Sequence, residues 1–295
     1  MSTLFISDLD GTLVDQRAEL SAYSRENLLE MLNAGLPFTV ASARSIVSIQ
    51  QMLQGLPIKL PVICFNGAFL SDFTTGKHHI VHGIRSDVAT GIYELLPEFN
   101  CVPYIATFDG TDERVYFDQV INAGMRWYLQ EREARADPRW RKTDRLADAL
   151  TEDVIAMTMI HRKEVLDDLE SAIRERYDDA VEIHHFENEY SPGWYWLTVH
   201  DVRATKDQAI NSMRQLLGLE DHRVVVFGDN RNDIKMFRAA DRAIAVANAI
   251  DEVKHHAQEV IGPNLEDSVV KYLRQNWKAG PRNVVPSEFI NGGKH

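Results

Sequence analysis

"FISDLDGTLVD", residues 5–15, decides the fold. Leu4 to Asp8 reads as a short buried strand, because an apolar run ends abruptly in a charge. Two aspartates, Asp8 and Asp10, then stand one residue apart, with Gly11 and Thr12 behind them. Like charges crowded at the end of a buried strand repel, and without a counter-charge one of them must protonate. A chain that keeps both carboxylates there needs a cation, supplied by a side chain or by a bound ion.

Outward from this stretch the chain alternates strand and helix. Ser24 is a candidate N-cap for a helix carrying Leu28, Met31 and Leu32, with Gly35 and Pro37 ending it. Phe38–Ala41 and Val62–Phe65 read as further strands, separated by a helix through Ile46, Ile49 and Leu53. This rhythm predicts βαβ units on a parallel sheet, an α/β fold of Rossmann-like type. Near Gly83 the rhythm changes and resumes only after residue 200, with a helix over Lys206–Leu217 bearing Ala209, Met213 and Leu216 on one face. We expect a discontinuous core over residues 1–83 and 200–280. An inserted α/β (α+β) domain over 84–199 and a loose tail over 281–295 complete the expected organisation.

Composition narrows the function. The formal net charge of −12 disfavours nucleic acid and anionic membrane as partners, since both reward basic surfaces. No run approaches the ~20 apolar residues of a membrane span, and no signal peptide is legible at the start. Cys64 and Cys101 lie in apolar stretches and fit thiols in a reducing cytoplasm better than a disulfide. Oligomeric state cannot be read from the sequence.

In open parallel sheets the ligand lies beyond the carboxyl ends of the strands. Those ends carry Asp8 and Asp10, then Ser42 and Arg44, then Asn66 and Gly67, then Asp229, Asn232 and Asp233 in "GDNRND". Lys206 opens the first helix after the insertion. Asp8, Asp10 and Asp229 form a hard oxygen set of the kind that holds Mg²⁺ beside a phosphate. An ionised aspartate needs no base to act as a nucleophile at neutral pH. Asp8 is the candidate nucleophile and Asp10 the candidate acid and base. Lys206 and Ser42 are the candidate holders of the phosphoryl oxygens.

These residues resemble the signature of the haloacid dehalogenase-like superfamily, in its Cof-type branch. Asp8-Leu9-Asp10-Gly11-Thr12 resembles its first motif, "ASAR" (41–44) its second, the Lys206 segment its third and "GDNRND" (228–233) its fourth. "CFNGA" (64–68) and "AVANA" (245–249) are similar to further landmarks. The resemblance covers roughly residues 3–83 and 200–275, and implies a Mg²⁺-dependent phosphatase of a small phosphorylated metabolite, such as a sugar phosphate. It implies an aspartyl-phosphate on Asp8 and a metal site of Asp8, the Asp10 carbonyl, Asp229, Asn232 and Asp233. Whether the last two touch the ion or hold the groups that do is left open. It also implies substrate contacts from Arg44, Asn66, Gly67 and Lys206, and a large cap domain as the source of specificity. Ala43, Asp207 and Ala247 depart from the residues usual at their positions.

A dehalogenase expels halide without a proton, so Asp10 argues for ester hydrolysis. A phosphomutase on the same scaffold and a non-catalytic phosphometabolite-binding protein are the alternatives. The histidine pairs at 78–79, 184–185 and 255–256 lack metal-ligand spacing. Trp194 and Trp196 would share a strand face, where core packing outweighs sugar stacking. Residues 131–145 read as a solvated face of mixed charge.

Overall fold

The computed structural model describes residues 2–188 and 191–279. Its contacts divide the chain into two units, one of Met1–Val81 with Ala204–His295 and the other His82–Arg203. The segment expected as a loose tail lies outside the described residues.

The first unit begins with β1 (Thr3–Ser7), α1 (Ala22–Asn33), β2 (Phe38–Val40), α2 (Ile46–Met52) and β3 (Val62–Cys64). A short hairpin of β4 (Phe69–Ser71) and β5 (His78–Val81) follows and pairs antiparallel with β3. β1 stops one residue short of Asp8, which leaves that carboxylate just past the strand end. The cap of α1 is Ser21, whose hydroxyl accepts from the Ser24 amide. Ser24 lies inside the helix and donates its hydroxyl to Asp267 at 2.7 Å. The Ser24 expectation is therefore corrected by one turn, because either serine could cap and only Ser21 has the extended backbone a cap needs.

The inserted unit comprises α3 (Ser86–Leu95), β6 (Pro103–Phe108), β7 (Glu113–Phe117), α4 (Ala123–Ala134), β8 (Trp140–Lys142), β9 (Asp153–His161), α5 (Lys163–Tyr177), β10 (Val181–Glu187) and β11 (Tyr195–Asp201). Its six strands run in the order β10-β11-β9-β6-β7-β8. The long strands alternate. One set, with Ile105, Met157, Leu197 and Ile183, packs with α3 and α5 residues, and the other, with Tyr104, Ile160 and Trp196, packs with α4. Trp196 is thus a core residue, while Trp194 lies before β11 with the Arg162 guanidinium 4.0 Å over its ring. The 131–145 stretch is not wholly solvated. Arg139, its side chain 12% exposed, pairs with Glu113 and Asp137, each at 2.7 Å, which ties the segment to β7.

The chain then returns with α6 (Lys206–Leu217), β12 (Arg223–Gly228), α7 (Ile234–Ala239), β13 (Arg242–Ala245), α8 (Asp251–His256), β14 (Glu259–Val260) and α9 (Ser268–Asn276). The sheet of the first unit is ordered β14-β13-β12-β1-β2 with every pair parallel. β1 is flanked on both sides, so Leu4, Ile6 and their neighbours Val226 and Phe227 have no exposed face. On α6 the buried residue of the last turn is Leu217, not Leu216, which is 36% exposed. One residue is 100° of helix, enough to move a side chain from core to rim. Among the described residues no helix is long and apolar enough to cross a membrane.

Candidate active site

The parallel register Ser7↔Phe227 and Ser7↔Val40 brings three strand ends side by side. The loops leaving them carry Asp8 and Asp10, Asp229, and Ser42 and Arg44. Asp8, Asp229 and Asp233 each offer a carboxylate oxygen within 4.8 Å of the others, and among the described residues this is the one such group found. Lys206, 1% exposed at the start of α6, donates from Nζ to Asp8 Oδ1 and to Asp233 Oδ1, both at 2.6 Å.

The four groups have different tasks. Both oxygens of Asp233 are committed. Oδ1 accepts from Lys206, while Oδ2 accepts from the amides of Asp229 at 2.9 Å and Asn230 at 3.1 Å. Asp233 therefore builds the turn after β12 and anchors the lysine. Asp229 is held by Thr12, whose hydroxyl donates to Oδ1 at 2.9 Å. Its other oxygen lies where a Gly11 Cβ would stand, 2.4 Å from that position, and Gly11 has φ +72°. Glycine is required there on both counts. The Gly11 carbonyl accepts from Asn248 Nδ2 at 2.7 Å, which stitches the loop after β1 to the segment after β13.

Electrostatics at the cluster are unbalanced. Burial pushes the Asp8 carboxyl well up, Lys206 pulls it back, and Asp233, Asp229 and Asp10 push it further. Burial, with Asp233 next, raises Asp229 to about 7 despite the Thr12 hydrogen bond. Burial alone would lower Lys206, but Asp233 and Asp8 outweigh it and hold the ammonium charged. Two buried carboxylates, Asp8 and Asp233, and the half-buried Asp229 thus share one ammonium. A hard divalent cation matches both the missing charge and the all-oxygen donor set.

The remaining candidates pair off around this centre. The Asp10 side chain stands outside the three-carboxylate group and meets Arg44, which donates from Nε to Oδ2 at 2.7 Å and from Nη2 to Oδ1 at 2.6 Å. Ser42 is buried, and its Oγ accepts from the Arg44 amide at 3.2 Å. Asn66, at φ 56°, accepts on Oδ1 from Asn232 Nδ2 at 3.0 Å, so these two residues brace each other across two loops. Gly67, at φ +116°, lets the chain run against Thr205, whose carbonyl oxygen would be 2.4 Å from a Cβ. That contact seats the first turn of α6 and with it Lys206. Thr12, Asn230 and Asn248 stand inside the segments 8–12, 228–233 and 245–249, and that placement is the only sign the sequence carries of their contacts.

The chemistry agrees with known proteins. The family described as haloacid dehalogenase-like hydrolase matches residues 5–273. A pyridoxal phosphate phosphatase of Escherichia coli is 27% identical over 283 residues, covering 92% of this chain and 98% of that protein. A 5-amino-6-(5-phospho-D-ribitylamino)uracil phosphatase of Bacillus subtilis is 24% identical, covering 92% and 96%. In three dimensions a Thermotoga maritima crystal structure superposes with a TM-score of 0.76 at 27% identity, covering 94% of this chain and 98% of that one. With a family match over nearly its whole length and phosphatases as its relatives, the chain belongs to the haloacid dehalogenase-like hydrolases and is a hydrolase of phosphoric monoesters.

Proposed function

We propose that the protein is a Mg²⁺-dependent phosphatase that cleaves a small phosphorylated metabolite through an aspartyl-phosphate on Asp8. The observation that carries this reading is the cluster of buried Asp8 and Asp233 with half-buried Asp229 around a single ammonium, Lys206. Asp8, Asp229 and the Asp10 carbonyl would hold the ion, with Asn232 and Asp233 maintaining the loop that presents Asp229. Bound there, Mg²⁺ would offset the carboxylate charge and withdraw charge from a phosphoryl group.

A carboxylate oxygen of Asp8 forms a bond to phosphorus as the ester P–O bond breaks. The carboxyl proton of Asp10 goes to the departing alkoxide. Water then forms the next P–O bond, the Asp8–phosphorus bond breaks, and the water proton goes to Asp10. Lys206 and the Ser42 hydroxyl hold phosphoryl oxygens while charge moves over them. The relatives' names make pyridoxal phosphate and the phosphoribitylamino uracil the first substrates to try, with sugar phosphates beside them. Cys64 and Cys101 are buried thiols, which supports a cytoplasmic location.

The test is hydrolysis of p-nitrophenyl phosphate and of that panel, with Mg²⁺ and then with EDTA. We expect turnover that EDTA abolishes and Mg²⁺ restores. Full activity in EDTA would overturn the metal assignment, and phosphate exchange between substrate carbons without release would favour a mutase.

A further inference from the structure

We propose that Arg44 is a positioning residue for Asp10, acting through the carboxylate it grips rather than as a phosphate binder. The inference rests on the acid–base role of Asp10 given above. Each guanidinium nitrogen of Arg44 has a protein acceptor. Nε and Nη2 take the two oxygens of Asp10, and Nη1 donates to Ser48 Oγ at 3.2 Å. The arm is fixed at its base as well, since the Arg44 amide donates to Ser42 Oγ at 3.2 Å and its carbonyl accepts from the Phe65 amide at 3.0 Å.

Asp10 needs such a partner. Its backbone is fixed by the bridge to Val14, but its side chain is 49% exposed. With the Asp10 side chain half exposed, water screens this ion pair and its contribution to stability is small. A planar fork on a carboxylate does fix its plane and direction. A proton donor gains its rate from being held in reach of the oxygen that leaves. The parallel pairing of β1 with β2 delivers this contact, bringing residues 34 apart in the chain together.

The leaving group supplies the test. Nitrophenolate departs without a proton and an alkoxide does not, and kcat/KM reports the steps through phosphoryl transfer. We would measure kcat/KM for p-nitrophenyl phosphate and for the alkyl ester of the panel turned over fastest. The proteins compared are wild type, Arg44→Gln, Asp10→Asn and the double variant, with folding checked by circular dichroism. Arg44→Gln should lower the alkyl-to-nitrophenyl ratio by about tenfold or more, Asp10→Asn should lower it further, and the double variant should match Asp10→Asn. Equal losses on both esters in Arg44→Gln, or multiplying losses in the double variant, would overturn the proposal while leaving Asp10 its role. An unchanged ratio in Asp10→Asn would remove the proton role itself and this inference with it. Should Arg44→Gln fail to fold, Arg44→Lys keeps the charge without the fork and is read by the same ratio.

Discussion

Neutralising Asp229 should stabilise the metal-free protein at alkaline pH. Asp229 titrates at about 7 in the fold, because burial and Asp233 oppose its charge. In the unfolded chain it titrates near ~3.9. A raised carboxylate is favoured in the fold only while protonated. Stability is therefore lost as pH climbs from the unfolded value to the folded one, and the full cost stands above 7. Three units at ~1.4 kcal/mol each give on the order of 4 kcal/mol. For a chain of this size that corresponds to roughly 10 °C in Tm. Asp229→Asn keeps an oxygen for the Thr12 hydroxyl and drops the charge, and it also eases Asp8, which Asp229 pushes the same way. The assay is thermal melting of both proteins in EDTA from pH 5 to pH 8.5. The variant should melt well above wild type at pH 8.5, and the gap should close towards pH 5. Titration common to both, such as His200, held neutral by burial with a value of about 3, cancels in the difference. Added Mg²⁺ should then raise the wild-type Tm at pH 8.5 and leave the variant where it was. A gap that does not vary with pH, or a variant less stable throughout, would refute this account of the cluster.

Other perturbations address the same centre. Asp8→Asn should abolish turnover while raising Tm in EDTA, since it removes a buried charge; steady-state kinetics and melting together check the split. Lys206→Met should cost about 3–5 kcal/mol and nearly all activity, because it strips the one ammonium from three carboxylates, as chemical denaturation and kinetics would show. Gly11→Ala should cost ~1–2 kcal/mol for its positive φ and should weaken Mg²⁺ binding, read as a higher metal concentration for half-maximal activity, because the new methyl displaces Asp229.

Much of this was legible because it depends on single strand ends. Asp8 and Asp229 each stand one small residue after an apolar run, and parallel strands deliver such residues to one edge of the sheet. Lys206 was legible as the first residue of a helix with a clear apolar face. Pairings between loops were not. Arg44 reads as a cation available to substrate until β1 and β2 are set side by side, and only then does it meet Asp10. Asn66 and Asn232 brace each other from 166 residues apart, and neither residue announces a partner. Arg139 hides in a stretch of alternating charge because its burial is decided by Glu113 on another strand. Ser21 and Ser24 both donate to Asp267 and differ in backbone angle, which the sequence does not show.

The strand order has a consequence for how the chain is made. β1 is made before every other strand of its sheet, yet it sits between β2 and β12, with Thr3 opposite Arg223. Some 220 residues separate those partners. At about 5–20 residues per second, β1 waits roughly 10–45 s for its second neighbour. During that wait only β2 can protect it, while the whole of His82–Arg203 is synthesised and becomes free to fold. The candidate site consequently closes only after β12 is made, and until then the nascent chain carries an open, apolar strand edge.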